Sequence, residues 1–353
     1  MRAWDEAENV AREAAAQRDR EREEATDELE AHGIDLDPTP RGAHRHGDEV
    51  HTHDHPHPHP HTEPGERPVI GIVGAGPVGS ALGAAFSRAG WPVSAVASRD
   101  AGRRDRFTKL VPGARAFAEA NALVDEVEVV FLTVPDDAVG RVAGQLRLYA
   151  GQAMVHTSGL LGPEALEPAM AAGTQAGTFH PLVAFADPER AVAALHGATI
   201  AIEGDDQLAA MLAELAEAVG AVPVRLAPGS KQAYHAAAVL SAGGVVALLD
   251  TIRELAALVG LDEQGALAIY LPLVEQTLGN AKVLGVDAAL TGPTVRGDAG
   301  TVAAHRAMIA ARAPAAAAVY DALLERAIGI AERRGAVAPE AAGRLRSALA
   351  ETS

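Results

Sequence analysis

Residues 69–83 read VIGIVGAGPVGSALG, an apolar run that turns through spaced glycines into a helical pattern. Residues 69–73 predict a buried strand, and Val78, Leu82 and Phe86 then recur at helical spacing. Between them, Gly74-Ala75-Gly76-Pro77-Val78-Gly79 has the G-x-G-x-x-G spacing of a dinucleotide-binding turn. Gly74 allows the tight turn, Gly76 lets backbone approach a pyrophosphate, and Gly79 lets helix pack close to strand. The helix start offers free N–H groups and the positive end of its dipole to phosphates. Pro77 suits a first turn, where no N–H partner is lost.

The next strand predicts which dinucleotide. Residues 93–97 are apolar and end in Ser98-Arg99, about twenty residues past the glycines, where the ribose-reading group belongs. An NAD site usually carries a carboxylate there. A hydroxyl and a guanidinium suit a 2′-phosphate instead, so the expected cofactor is NADP. Asp100 is adjacent and keeps NAD open as the alternative.

The 353 residues are enough for a sizeable core and about two domains. There is no cysteine, which excludes disulfides, thiol catalysis and cysteine metal sites. A net charge of −17 argues against nucleic acid as partner. No apolar run reaches membrane-spanning length; the longest, residues 236–249, is short and interrupted by Ser241, Gly243 and Gly244. The expectation is a cytoplasmic protein with no membrane partner. Residues 1–66 differ in kind from the rest. A charged, Ala-rich stretch is followed by His51, His53, His55, His57, His59 and His61 at alternate positions among prolines. This composition predicts a disordered tail whose metal affinity is incidental, with no dedicated metal site.

From Pro68 onward apolar strands alternate with helices: after the first two strands come residues 129–134, 153–155, 177–179, 198–202 and 222–226. Such alternation predicts a mainly parallel sheet covered on both faces. Past Pro228-Gly229-Ser230 only helical patterns remain, over 231–259, 263–284, 299–311, 315–334 and 339–350. The first is apolar nearly all round, as expected of a helix buried within its domain or in a dimer. The fold class is therefore α/β, a Rossmann-type domain over 67–229 followed by an all-helical domain over 230–351, with a disordered tail over 1–66.

Several strings go further: the glycine loop, Val134-Pro135-Asp136, His156-Thr157-Ser158-Gly159, Phe179-His180-Pro181-Leu182, Tyr234-His235-Ala236-Ala237, and Leu290-Thr291-Gly292-Pro293 with Arg296-Gly297-Asp298. Together they resemble the family that joins a Rossmann-like domain to domain of unknown function 2520. The order of domains also resembles ketopantoate reductase, pyrroline-5-carboxylate reductase and 6-phosphogluconate dehydrogenase. The resemblance covers residues 68 to about 350 and excludes the tail. It implies an NADP-linked oxidoreductase, with ketopantoate-type reduction among the activities implied, and it supplies no catalytic residue to carry over.

Ligands of open parallel sheets bind beyond the carboxyl ends of the strands. Thr133, Val134, Pro135 and Thr157 are therefore expected beside the cofactor, with Ser158 and His180 at neighbouring strand ends. His156 reads as a buried, hydrogen-bonded histidine. Ser230 predicts an N-cap, which places Lys231 and His235 four apart on one face at the domain junction. Lysine occurs only at 109, 231 and 282, so its use at the junction points to a compact, titratable ammonium. Lys231, His235, His180 and Ser158 are thus the candidate catalytic residues, facing a small-molecule substrate expected to be a carboxylate. Arg296 is a candidate carboxylate anchor, and Asp298 a predicted N-cap. A homodimer through the helical domain is expected. Two other classes stay open: a non-catalytic NADP-binding sensor or scaffold, and metal handling through the His tract.

Overall fold

The computed structural model describes residues 67–185 and 187–350, together with the backbone of 43–46 and 49–52. The latter two segments pair as an antiparallel ribbon, Ala43–His46 with Glu49–Thr52. The rest of the segment expected to be a disordered tail, His53 to His61 included, lies outside the described residues. The ribbon belongs to a unit spanning Met1–His61, whereas Thr62–Ser353 forms one compact unit of its own.

In the larger unit the strands are β1 (Ile70–Val73), β2 (Val93–Ala97), β3 (Arg115–Phe117), β4 (Val129–Leu132), β5 (Ala153–His156), β6 (Gln175–Pro181), β7 (Thr199–Glu203) and β8 (Val222–Arg225). They lie in the order 8-7-6-5-4-1-2-3. All neighbours are parallel except β6 and β7. Helices α1 (Pro77–Arg88), α2 (Ala101–Leu110), α3 (Asp136–Gln145) and α4 (Asp206–Ala218) connect them. Every residue of β1, β4 and β5 is buried, as strands covered on both faces require. Aromatic residues are few, yet Phe86 of α1, Phe131 of β4 and Phe179 of β6 meet with ring centroids 5.1 to 5.7 Å apart. That cluster locks α1 onto the middle of the sheet. It also leaves His180, next along β6, at the strand's open end.

Beyond β8 the described residues are helical: α5 (Lys231–Val239), α6 (Val245–Ala257), α7 (Glu263–Leu284), α8 (Ala299–Arg312), α9 (Pro314–Arg333) and α10 (Pro339–Ala350). A π turn, Leu240–Gly244, joins α5 to α6. The resulting 27-residue helix, Lys231–Ala257, has a mean hydropathy of 1.6 over its most apolar stretch and is long enough to cross a membrane. Residues 236–249 read as too short for a span and interrupted by Ser241, Gly243 and Gly244, whereas the helix that contains them runs unbroken from Lys231 to Ala257.

Two caps were predicted and one is made. Asp298 accepts from Thr301 N–H at 3.0 Å and opens α8. Ser230 holds the N-cap position and α5 starts at Lys231 as expected, but its side chain makes no capping bond: the backbone angles are already helical and the hydroxyl donates back to the Ala227 carbonyl. The reason lies just upstream, where Gly229 at φ +77° completes the Pro228-Gly229 turn and delivers Ser230 in the wrong conformation.

Candidate active site at the carboxyl ends of the strands

The glycine loop behaves as its spacing requires. Gly74 sits at φ +112° and donates to the Ala97 carbonyl at 2.8 Å, tying the turn between β1 and α1 to the end of β2. A Cβ on Gly79 would overlap the Gly74 carbonyl and the Thr133 hydroxyl. A Cβ on Gly76 would meet nothing within 4 Å. Gly76 begins α1 without a side-chain cap, so the first N–H groups of the helix are left for a ligand. Thr133 Oγ1 donates to the Gly74 carbonyl and ties the end of β4 to the loop.

A cleft of about 810 Å³ opens here. Gly74, Ala75, Gly76, Ser98, Arg99, Thr133, Val134 and Pro135 line it, as expected, joined by Asp100, Arg103 and Arg141. Pro77, Val78 and Gly79 form the first turn of α1 behind the loop. Asp100 bears on the choice of cofactor. Its carboxylate caps α2, accepting from Arg103 N–H at 3.0 Å, and this bond holds its pKa below the ordinary carboxylate value. It is therefore engaged with the helix, while the exposed Arg99 and Arg103 stand beside Ser98. Those residues fit a 2′-phosphorylated dinucleotide better than an unphosphorylated one.

The neighbouring strand ends carry a cluster of rings. His180 Nδ1 lies 3.2 Å from the Tyr234 hydroxyl, and its ring is edge-on to Tyr234 and to His235, with centroids 5.6 and 5.7 Å away. Gly159 presses against both imidazoles: a Cβ there would overlap His235 Nδ1 and approach His180 Nε2 at 2.7 Å. His235 Nδ1 is buried and has no hydrogen-bond partner among the described residues. Burial, followed by the charge of Lys231 and then His235, lowers the His180 pKa to about 4. Burial pushes Tyr234 up to about 12. At neutral pH the cluster therefore holds a neutral imidazole beside a protonated phenol.

The structure separates the expected catalytic quartet. His180 and His235 come together. Lys231 does not join them, and its expected place facing the cofactor is corrected. It is 3% exposed, with Nζ 2.7 Å from the Ser158 carbonyl and 3.6 Å from Glu203 Oε2. Helical spacing gave Lys231 and His235 a shared face, but Glu203 of β7 draws the ammonium under the Ser158 turn. The Ser158 hydroxyl is likewise engaged, accepting from the N–H groups of Leu160 and Leu161. Thr157 Oγ1 lies 3.4 Å from the Leu132 carbonyl, half-buried at the end of β5. His156 is a structural histidine, fully buried, 2.9 Å from the Gly162 carbonyl through Nε2, with burial lowering its pKa to about 4. Arg296 is exposed at the end of a short helix, Pro293–Arg296, where a loop was expected.

Sequence reasoning passed over Tyr234, Gly159 and Arg103. Tyr234 adjoins His235 in a quoted string, and Gly159 closes another, so position was available as a signal although role was not.

Comparison with known proteins agrees with this geometry. A Rossmann-like domain model matches residues 58–181, and the model for domain of unknown function 2520 matches residues 198–327. The chain carries both domains. No curated protein matches it. Among solved structures, a Bacteroides fragilis protein assigned as an NADP oxidoreductase is similar at TM-score 0.63 and 23% identity, over 74% of this chain and 98% of that one. A Thermotoga maritima protein is similar at TM-score 0.59 and 26% identity, over 75% and 99%. The 1-pyrroline-5-carboxylate reductase of Streptococcus pyogenes follows at TM-score 0.53 and 16% identity, over 74% and 99%. These likenesses establish a shared fold: a Rossmann-like sheet followed by a helical region.

Proposed function

We propose that this chain is an NADP(H)-dependent oxidoreductase that reduces the C=O or C=N bond of a small molecule, the expected class being a keto acid of the ketopantoate type or an imino acid. The observation that carries the reading is that two features lie toward the carboxyl ends of strands of one sheet. They are the glycine-loop cleft, with Ser98, Arg99 and Arg103, and the His180–Tyr234–His235 cluster. Resemblance to an assigned NADP oxidoreductase and to a reductase of a ring imine acid supports the same reading.

The cofactor would supply the hydride; the chain must orient the substrate and deliver a proton. Tyr234 keeps its phenolic proton at neutral pH, because burial pushes its pKa up. That proton can pass from Oη to the oxygen or nitrogen that gains the hydride's negative charge. His180 Nδ1, 3.2 Å from the same Oη, orients the phenol. His235 contributes an imidazole edge for the substrate's polar group. Lys231 is held by Glu203 and Ser158, so an acid substrate is recognised by hydrogen bonds from this cluster and not by a lysine ion pair.

The working form in this proposal is a cytoplasmic homodimer. Helix Lys231–Ala257 has none of its most apolar stretch buried within the chain. Leu240, Val246, Leu273, Leu278 and Val283 of the same region are each more than half exposed. Exposed apolar side chains in this number suit a second copy of the chain, since obligate homodimers cover about 2,000 Å² or more of surface.

The test is steady-state NADPH oxidation with a panel of 2-oxo acids and cyclic imino acids. Turnover is expected with at least one. Tyr234→Phe should lower it by roughly a hundredfold at nearly unchanged NADPH affinity. NADPH binding without turnover across the panel would support the sensor reading instead.

A further inference from the structure

We propose that Lys231 is a positioning residue, whose ammonium fastens three neighbouring strands and the start of α5 together and thereby holds Gly159 against the His180 and His235 imidazoles. The proposal rests on reading that imidazole cluster as the reacting site. Lys231 Nζ donates to the Ser158 carbonyl at 2.7 Å, just past the end of β5. It also lies 3.6 Å from Oε2 of Glu203, the last residue of β7. The same Glu203 oxygen accepts from Thr178 Oγ1 of β6 at 3.2 Å. Thr178 is in register with His156 on one side and with Glu203 on the other. One ammonium therefore closes a polar network across β5, β6 and β7.

Gly159 follows the fastened Ser158 carbonyl directly. There is no room for even a Cβ between Gly159 and the two imidazoles, so the position of the Ser158 turn sets theirs. Removing Lys231 would leave the buried Glu203 carboxylate unpaired and release the turn. A compact ammonium on a flexible stem fits this junction, in a chain that uses arginine for nearly all its other cations. The site also feels the charge. His180 is faced by Tyr234 and His235 from α5, by His156 from β5, by Asp136 from the start of α3, and by Lys231. Lys231 is the largest charged contributor to keeping that imidazole neutral.

Only Lys109, Lys231 and Lys282 occur in the chain, and the first and last are exposed. The native full-length protein can therefore be treated with an amine-acetylating reagent and read by peptide mass spectrometry, without substrate or cofactor. Lys109 should be fully acetylated while Lys231 stays unmodified until denaturant is added. Acetylation of Lys231 as fast as Lys109 would mean a cleft-facing amine and would overturn the proposal. The second readout is the His180 titration followed by NMR. In Lys231→Met it should move upward, and in Lys231→Arg, which keeps the charge, it should stay low. An unchanged His180 titration in Lys231→Met would also overturn the proposal. If Lys231→Met fails to fold, acetylation of the unaltered chain decides. Loss of the functional reading shows separately, as a failure to bind NADPH, and leaves the acetylation result standing.

Discussion

Gly76 and Gly79 open the same helix and answer different constraints. Gly79 is demanded by the protein, because a methyl there would collide with the Gly74 carbonyl. At Gly76 a methyl meets no protein atom, so under the proposed function it is the pyrophosphate that asks for glycine there. Gly79→Ala should therefore lower the thermal midpoint markedly. Gly76→Ala should melt like the parent yet lose NADPH affinity by more than about tenfold, as read by fluorescence titration. Equal affinities for parent and Gly76→Ala would remove the phosphate from the loop. The backbone roles of Gly74 and Gly79 are legible in the sequence because backbone geometry depends on local spacing. The fate of Lys231 is not. Helical spacing assigns it a face, but depth and partner come from Glu203, on a strand distant in sequence. Asp100 stays open in the sequence for a similar reason: a carboxylate at a strand end can read a ribose or cap the next helix, and here it makes the cap.

Elements with strong periodicity were read well, and weakly patterned ones were not. β2, α7 and α10 coincide with the expected spans because their ends carry clear breakers, such as Gly285 after α7. β3 was missed: it is a short edge strand, Arg115–Phe117, with two of three residues exposed, and so shows no apolar run. The two predicted caps give an element-scale test. Asp298 accepts from both the N–H and the hydroxyl of Thr301, so Asp298→Ala should cost about 1 kcal/mol in chemical denaturation. Ser230→Ala removes no cap, and its cost should be under about 0.5 kcal/mol. Equal costs would mean that Ser230 caps α5 after all.

On the scale of the whole molecule, the sheet with its helices is well buried, whereas α5 to α7 leave apolar residues facing outward, Leu240 at 71% and Val283 at 82% exposed. The all-round apolar pattern of residues 231–259 anticipated this surface, but one chain's pattern cannot tell a helix buried within its domain from one buried between copies. Light scattering should give twice the chain mass for the native protein, and Leu240→Glu with Val246→Glu should give a monomer that keeps its fold. A native monomer, or a protein that requires detergent, would contradict the second-copy proposal. Above assembly stands the central claim, that this sheet holds a 2′-phosphorylated nicotinamide dinucleotide between Gly76 and Arg99. It is tested most directly by isothermal titration of the native protein with NADPH and with NADH. The account predicts that NADPH binds at least about tenfold more tightly, about 1.4 kcal/mol in free energy, and that Arg99→Asp erases the preference. Equal affinities in the native protein, or no binding of either, would contradict it.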